Sequence, residues 1–134
     1  MMSIRRAASG ILVLAVLTGC GPSVQLTRLS PTKLPSRPQD YPIQIFHENR
    51  PSCAFDEVAM VSATRPNTLV SMDAVVESLR EKAREVGGDA IIGLSSEARV
   101  TGASPSTVDN SVDVERKTVL SGTIIRFRSP KCTQ

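Results

Sequence analysis

Three cysteines and one histidine hold most of the reactive chemistry open to this 134-residue chain. Cys20 ends the stretch Leu17-Thr18-Gly19-Cys20, where small residues leave the backbone open to a peptidase and the thiol open to alkylation. Cys53 and Cys132 stand far apart in sequence with no C-x-x-C spacing, so they read as structural rather than redox-active. Catalysis needs a nucleophile with its base, or paired carboxylates, converging in a pocket. His47 offers a base, but no serine elbow or reactive cysteine accompanies it, and it reads as a surface residue near a strand end. Asp56 and Glu57 adjoin on a predicted strand and so point to opposite faces. Asp89 follows Gly87-Gly88 and reads as a turn cap. No catalytic residue, cofactor site or metal site is expected, and the chain reads as a non-enzyme.

The residues before Cys20 set its chemistry. Arg5 and Arg6 precede the uncharged apolar run from Ile11 to Leu17. That run is far short of the roughly 20 apolar residues that span a bilayer. A charged start, a short apolar core and small residues before a cut are the pattern of a secretory signal. Ala7-Ala8 follow the arginines where twin-arginine export wants a bulky residue. With Leu at −3, Gly at −1 and Cys at +1, the stretch resembles the lipobox of bacterial lipoproteins. The resemblance implies a signal peptide over 1–19 and a diacylglyceryl and palmitate anchor on Cys20. Two or more acyl chains hold a protein stably on a membrane without spanning it. Gly21, in place of the aspartate that favours inner-membrane retention, implies the outer membrane, with the inner membrane as the alternative and the domain facing the periplasm.

Loss of residues 1–19 changes the charge. The whole chain carries +3, but without Arg5 and Arg6 it keeps 14 basic against 13 acidic side chains. Nucleic-acid binding wants a clustered basic face, and single strands want exposed rings, of which Tyr41, Phe46, Phe55 and Phe127 are the whole supply. No nucleic-acid partner is expected. With Cys20 lipidated, Cys53 and Cys132 remain as an even pair in an oxidising compartment. They are expected to bridge, two free thiols being the alternative.

Five of the nine prolines fall within residues 21–42. Proline removes a donor and fixes φ, so residues 20–41 are expected to form an extended tether, reaching roughly 65 Å at about 3.1 Å per residue. Val24, Leu26 and Leu29 supply the alternative, an edge strand. Residues 42–134 are then a single small domain. Tyr41–His47 and Phe55–Ala63 read as strands, the second with Val58 and Met60 on one face and Ala59 and Val61 on the other. Met72, Val75, Val76, Leu79, Ala83 and Val86 recur at helical spacing, with Ser71 as N-cap, Asp73 in the first turn and Gly87-Gly88 as the stop. Ala90–Leu94 reads as a buried strand, 101–111 as a flexible loop, and Val112–Arg128 as a long strand bulged near Ser121-Gly122. The order β-β-α-β-β predicts an α+β fold, a small sheet with one amphipathic helix on one face. The strand directions bring Cys132 to the start of the Phe55 strand, beside Cys53. The other sheet face is expected to expose Ile and Val side chains, as an interface does.

Tyr41-Pro-Ile-Gln-Ile-Phe46 and Leu79-Arg-Glu-Lys-Ala-Arg-Glu-Val-Gly-Gly-Asp-Ala-Ile-Ile-Gly93 resemble a group of small bacterial lipoproteins with a compact α/β domain. The second segment is also similar to the Rcs envelope-stress sensor lipoprotein and to small proteins labelled heavy-metal-binding. The stress sensor carries four domain cysteines where this chain has two, so its sensing mechanism is not implied. A lone His47 without a Cys/His cluster gives the metal label no footing. Together these readings imply a cell-envelope lipoprotein that acts as a membrane-tethered protein-interaction module, a sensor or assembly factor contacting another envelope protein. The alternative is a self-associating structural component of an envelope complex.

Overall fold

The computed structural model describes residues 21–47, 50–109 and 111–133. The signal peptide expected over 1–19 and Cys20 lie outside the described residues. Five strands and one helix follow in order: β1 Ser23–Arg28, β2 Gln44–Phe46, β3 Phe55–Thr64, α1 Met72–Glu85, β4 Ala90–Pro105 and β5 Val112–Phe127, then a 3₁₀ turn over Pro130–Thr133. The strands form one mixed sheet in the order β1-β3-β5-β4-β2. Only β2 and β4 are paired parallel. The helix packs on one face, and the fold is α+β, as the alternation and the helical stripe require.

The helix forms where its local signals place it. The Ser71 hydroxyl accepts the Ala74 amide at 3.1 Å, and Asp73 lies in the positive first turn. Val75, Leu79 and Ala83 are fully buried at spacings of four. They meet Ala59, Val61 and Ala63 of β3, Leu120 and Ile124 of β5, and Ile91 of β4. Full burial of each large aliphatic side chain contributes about 2 kcal/mol.

Residues 23–28 are not a tether. They pair antiparallel with β3 from Ser23 opposite Thr64 to Arg28 opposite Ala59. Between Pro22 and Pro31 the chain is free of proline, so every amide can serve the ladder. Val24 and Leu26 alternate onto the helix side and pack against the main core. Leu29 and Ser30 amides then both donate to Val58 O. Leu34 also packs on the core, so the proline-rich remainder is held against the body.

Three irregularities adjust the sheet. Val58 is an extra residue on β3, which turns it inward beside Ala59 rather than onto the Met60 face. The bulge expected at Ser121-Gly122 lies on the partner strand, at Gly93-Leu94, where Gly93 takes φ +63°. Thr101 is a further extra residue on β4, opposite the step from Arg116 to Glu115. Of the segment expected as a loop over 101–111, residues 101–105 are strand, and the loop is confined to the turn that follows Pro105. β4 and β5 are each 16 residues long, and their turn closes with the Ser106 amide on Ser111 O at 2.8 Å. Cross-strand pairing overrides the small-residue composition there.

The sheet face opposite the helix is not the apolar surface that alternation predicts. Gln25, Thr27, Ser62, Ser121 and Thr123 occupy much of it, with Met60 as its exposed large apolar side chain. Its apolar part, Ala90, Ile92, Ile125 and Phe127, is a second small core covered by Phe46, Phe55, Cys53 and Cys132. Cys53 and Cys132 are joined, with Cα atoms 6.1 Å apart across 79 residues of sequence. Phe55 lies opposite Phe127, so the antiparallel β3–β5 pair itself delivers the two cysteines. Closing a loop of that length stabilises the fold by about 3–4 kcal/mol. The C53S variant is expected to lose about that much in chemical denaturation, and the parent to lose the same under reductant. An unchanged midpoint in both would show that the bridge only decorates the second core.

Candidate functional site

Among the described residues, the charged residue buried among the hydrophobic elements is Asp89, 2% exposed. It follows the helix stop and begins the turn into β4. Its carboxylate Oδ1 accepts Arg37 Nη2 at 2.5 Å and the Tyr41 hydroxyl at 2.8 Å, while Oδ2 accepts the Phe127 amide at 2.9 Å. Its backbone amide donates to Ile125 O, and its carbonyl accepts the Gln44 amide. One residue thus ties the N-terminal segment, β2 and β5 together. Asp89 is no mere turn cap, because its partners come from distant parts of the chain.

The segment 34–41 is shaped to reach this carboxylate. The Arg37 amide donates to Arg84 O at 2.7 Å, and Arg84 Nε returns a bond to Tyr41 O at 2.9 Å. The Arg37 guanidinium also stacks over the Tyr41 ring, 4.7 Å from its centroid. Gly87, at φ +79°, leaves room for this crossing, since a Cβ there would meet Pro35 O at 2.4 Å and Leu34 Cβ at 2.8 Å. A Cβ on Gly88 would lie 2.3 Å from Ile124 Cγ2, so the helix end sits directly on β5. Arg84 further pairs with Glu77 at 2.8 Å. Hydrogen bonds from Arg84, and more weakly Arg80, hold the Glu77 carboxyl below its ordinary value of 4.5. A cleft of about 400 Å³ opens between Arg37, Tyr41, Asp89, Arg126, Phe127 and Arg128. Its carboxylate is already consumed by internal partners, so this is a joint that fastens the chain.

The groove on the far edge of the sheet has a different character. Among the described residues β2 pairs with β4 alone, so its outer edge is open over Gln44–Phe46. Beside that edge lies a shallow groove of about 630 Å³ between β2 and α1. Ile43, Ile45, Phe46, Val76 and Leu94 give it apolar walls, with His47 and Arg80 at its rim. An open strand edge next to an apolar slot and a helix can accept an extended peptide, with main-chain bonds for affinity and the slot for side-chain choice. His47, read from sequence as a surface residue, is exposed there.

The other sequence-predicted residues do not converge. Asp56 bonds Arg128 at 2.6 Å on the surface, and that bond lowers its pKa. Glu57 is exposed on the same strand. Cys53 and Cys132 sit on the second core, which shares Phe46 with the groove. Among the described residues no group of three or more His, Cys, Asp or Glu could hold a metal ion, and no helix is long and apolar enough to cross a membrane. The sequence reading missed Arg37 and Tyr41, which lie in the segment taken as a tether. The single tyrosine of a proline-rich stretch was the available signal.

No protein-family model matches the chain, and no curated protein matches it in sequence. Among solved structures it is similar to the crystal structure of the Francisella virulence factor FvfA, at 10% identity. That match covers 81% of this chain and 99% of the other, with a TM-score of 0.49.

The joint makes a sharp prediction. Breaking a buried ion pair by removing one partner costs about 3 kcal/mol, because the other charge is left behind. D89N is therefore expected to lower stability by about 3 kcal/mol in chemical denaturation and to expose residues 29–43 to protease first. Adding R37Q to D89N should cost little more. Full additivity of the two variants would show that Arg37 and Asp89 act separately.

Proposed function

We propose that this protein is a cell-envelope lipoprotein, anchored through Cys20 to the outer membrane, that binds an extended segment of another envelope protein along β2. The observation that supports this reading is the open β2 edge beside the apolar slot formed with α1. The incoming segment adds as a strand next to Gln44–Phe46 and lays an apolar side chain against Ile45, Val76 and Leu94. An acidic group on it would meet Arg80, which among the described residues pairs with a half-exposed Glu77 at 3.3 Å. The polar character of the open sheet face removes the broad apolar interface expected from sequence and leaves the groove as the better contact.

The anchor and the groove are tested separately. Cells expressing the full chain should incorporate labelled palmitate, and C20A should abolish it; label retained on C20A would sink the anchor. For the groove, a photoreactive residue at Ile45 in intact cells should give one heterologous adduct that V76D removes. Self-adducts alone would favour the self-associating component, and adducts unchanged by V76D would place the contact elsewhere.

A further inference from the structure

Beyond their shared body, β4 and β5 run on as a two-stranded arm. Pairing with β3 ends at Val119 opposite Thr64, and pairing with β2 ends at Ile92 opposite Phe46. From Ala98 to Pro105 and from Val112 to Thr118 the two strands pair with each other. The arm has two different faces. Val112 and Val114 alternate with Asp113 and Glu115, and the register sets Val114 opposite Ala103, Val112 opposite Pro105, and Val100 opposite Arg116. One face thus carries Val100, Ala103, Pro105, Val112 and Val114 toward the tip, with Arg116 beside Val100 at its inner end, on the side where the helix lies. The other carries the pairs Glu97–Arg99 and Glu115–Lys117. Val100 and Val112 are 56% and 62% exposed, and Val108 at the turn is 93% exposed.

The direction of the arm is fixed by the ladder. Ser23 lies opposite Thr64, and Thr64 opposite Val119. β1 and β5 are both antiparallel to β3, so they run the same way. The residues before Ser23 therefore leave the sheet at the end from which the arm projects. Cys20 is three residues from Ser23, which is at most about 10 Å of chain. The arm extends seven residues beyond Val119, about 24 Å. Two strand steps of twist turn it by about 45° from β1, which leaves about 17 Å along the β1 direction. An anchor at Cys20 thus lies nearer the sheet than the arm tip does.

We propose that the arm rests on the lipid surface, with the face of Val100, Val112 and Val114 and the tip valine Val108 in the headgroup–acyl boundary. This inference rests on the Cys20 anchor. The arm from Glu97 to Thr118 holds four acidic and three basic side chains, so its contact is apolar rather than electrostatic. Hydrogen bonds from Ser111 and Ser106 lower the Asp109 pKa and keep it charged, which holds the tip at headgroup depth.

The test separates the arm from the anchor. A chain beginning at Cys20, which contains every described residue, is coupled through that thiol to a maleimide lipid in phosphatidylcholine vesicles. A dansyl amino acid is placed at 108, 112, 113 or 114. Quenching by brominated lipid and a blue shift are expected at 108, 112 and 114, absent at 113, and unchanged by high salt. Equal responses at 113 and 114, or none at 108 and 112, would overturn the proposal. If the arm responds while C20A cells keep their palmitate, the anchor reading fails and the arm's affinity for lipid stands.

Discussion

The fold depends on one buried carboxylate. Asp89 is withdrawn from water, and an unpaired carboxylate there would cost several kcal/mol. Arg37, the Tyr41 hydroxyl and the Phe127 amide occupy its oxygens. That requirement forces residues 37–41 across the end of the helix, and the crossing in turn needs the two glycines. Gly87 admits the backbone of Pro35, and Gly88 brings the helix end onto Ile124. The Gly-Gly-Asp triplet is therefore a docking seat for the N-terminal segment as well as a helix stop. Once the segment is seated, β1 has little choice but to complete the sheet edge beside β3.

The rest of the architecture follows from scarcity. The chain has four aromatic rings and, among the described residues, a single α-helix, which can cover only one face of the sheet. Small domains bury a smaller share of their surface and need further reinforcement. Here the second face is resolved in two ways. Its lower part is an apolar patch closed by Phe46, Phe55 and the disulfide. Its upper part is Ser, Thr and Gln, which water solvates without cost. The bulge at Val58 adds to the helix-side core by turning inward a residue that strict alternation would send outward.

What was legible in sequence was local. The helix declares itself because its stripe, its Ser71 cap and its glycine stop all lie within one short segment. Cys53 and Cys132 could be brought together because strand directions follow from connection types. The failures are non-local. Counting prolines over residues 21–42 averaged away the proline-free window that holds Val24 and Leu26, and only the empty edge of β3 decides that it becomes a strand. Asp89 looked like a turn cap because its side-chain partners sit 52 and 48 residues upstream. Residues 101–105 looked like part of a loop because none of them reports the partner strand that straightens them. Of the candidate site, β2 could be read as a strand, but its open edge depends on a strand order that no single segment encodes.

Strand order also decides which surfaces can be used together. β1 stands at one edge of the sheet and β2 at the other, with three strands between them. At about 4.8 Å per strand the two edges are roughly 19 Å apart. Along the strands, β2 lies level with Ala90–Ile92 and hence with Thr123–Ile125, whereas the arm begins beyond Val119 toward the opposite end. The first described residues leave the sheet at the arm end. An anchor just before them would draw that end to the membrane and leave the β2 groove at the distal corner. With that anchor, the short connection before Ser23 would replace reach with orientation. A long tether would let an anchored domain take any attitude, whereas a short one would fix which edge is presented.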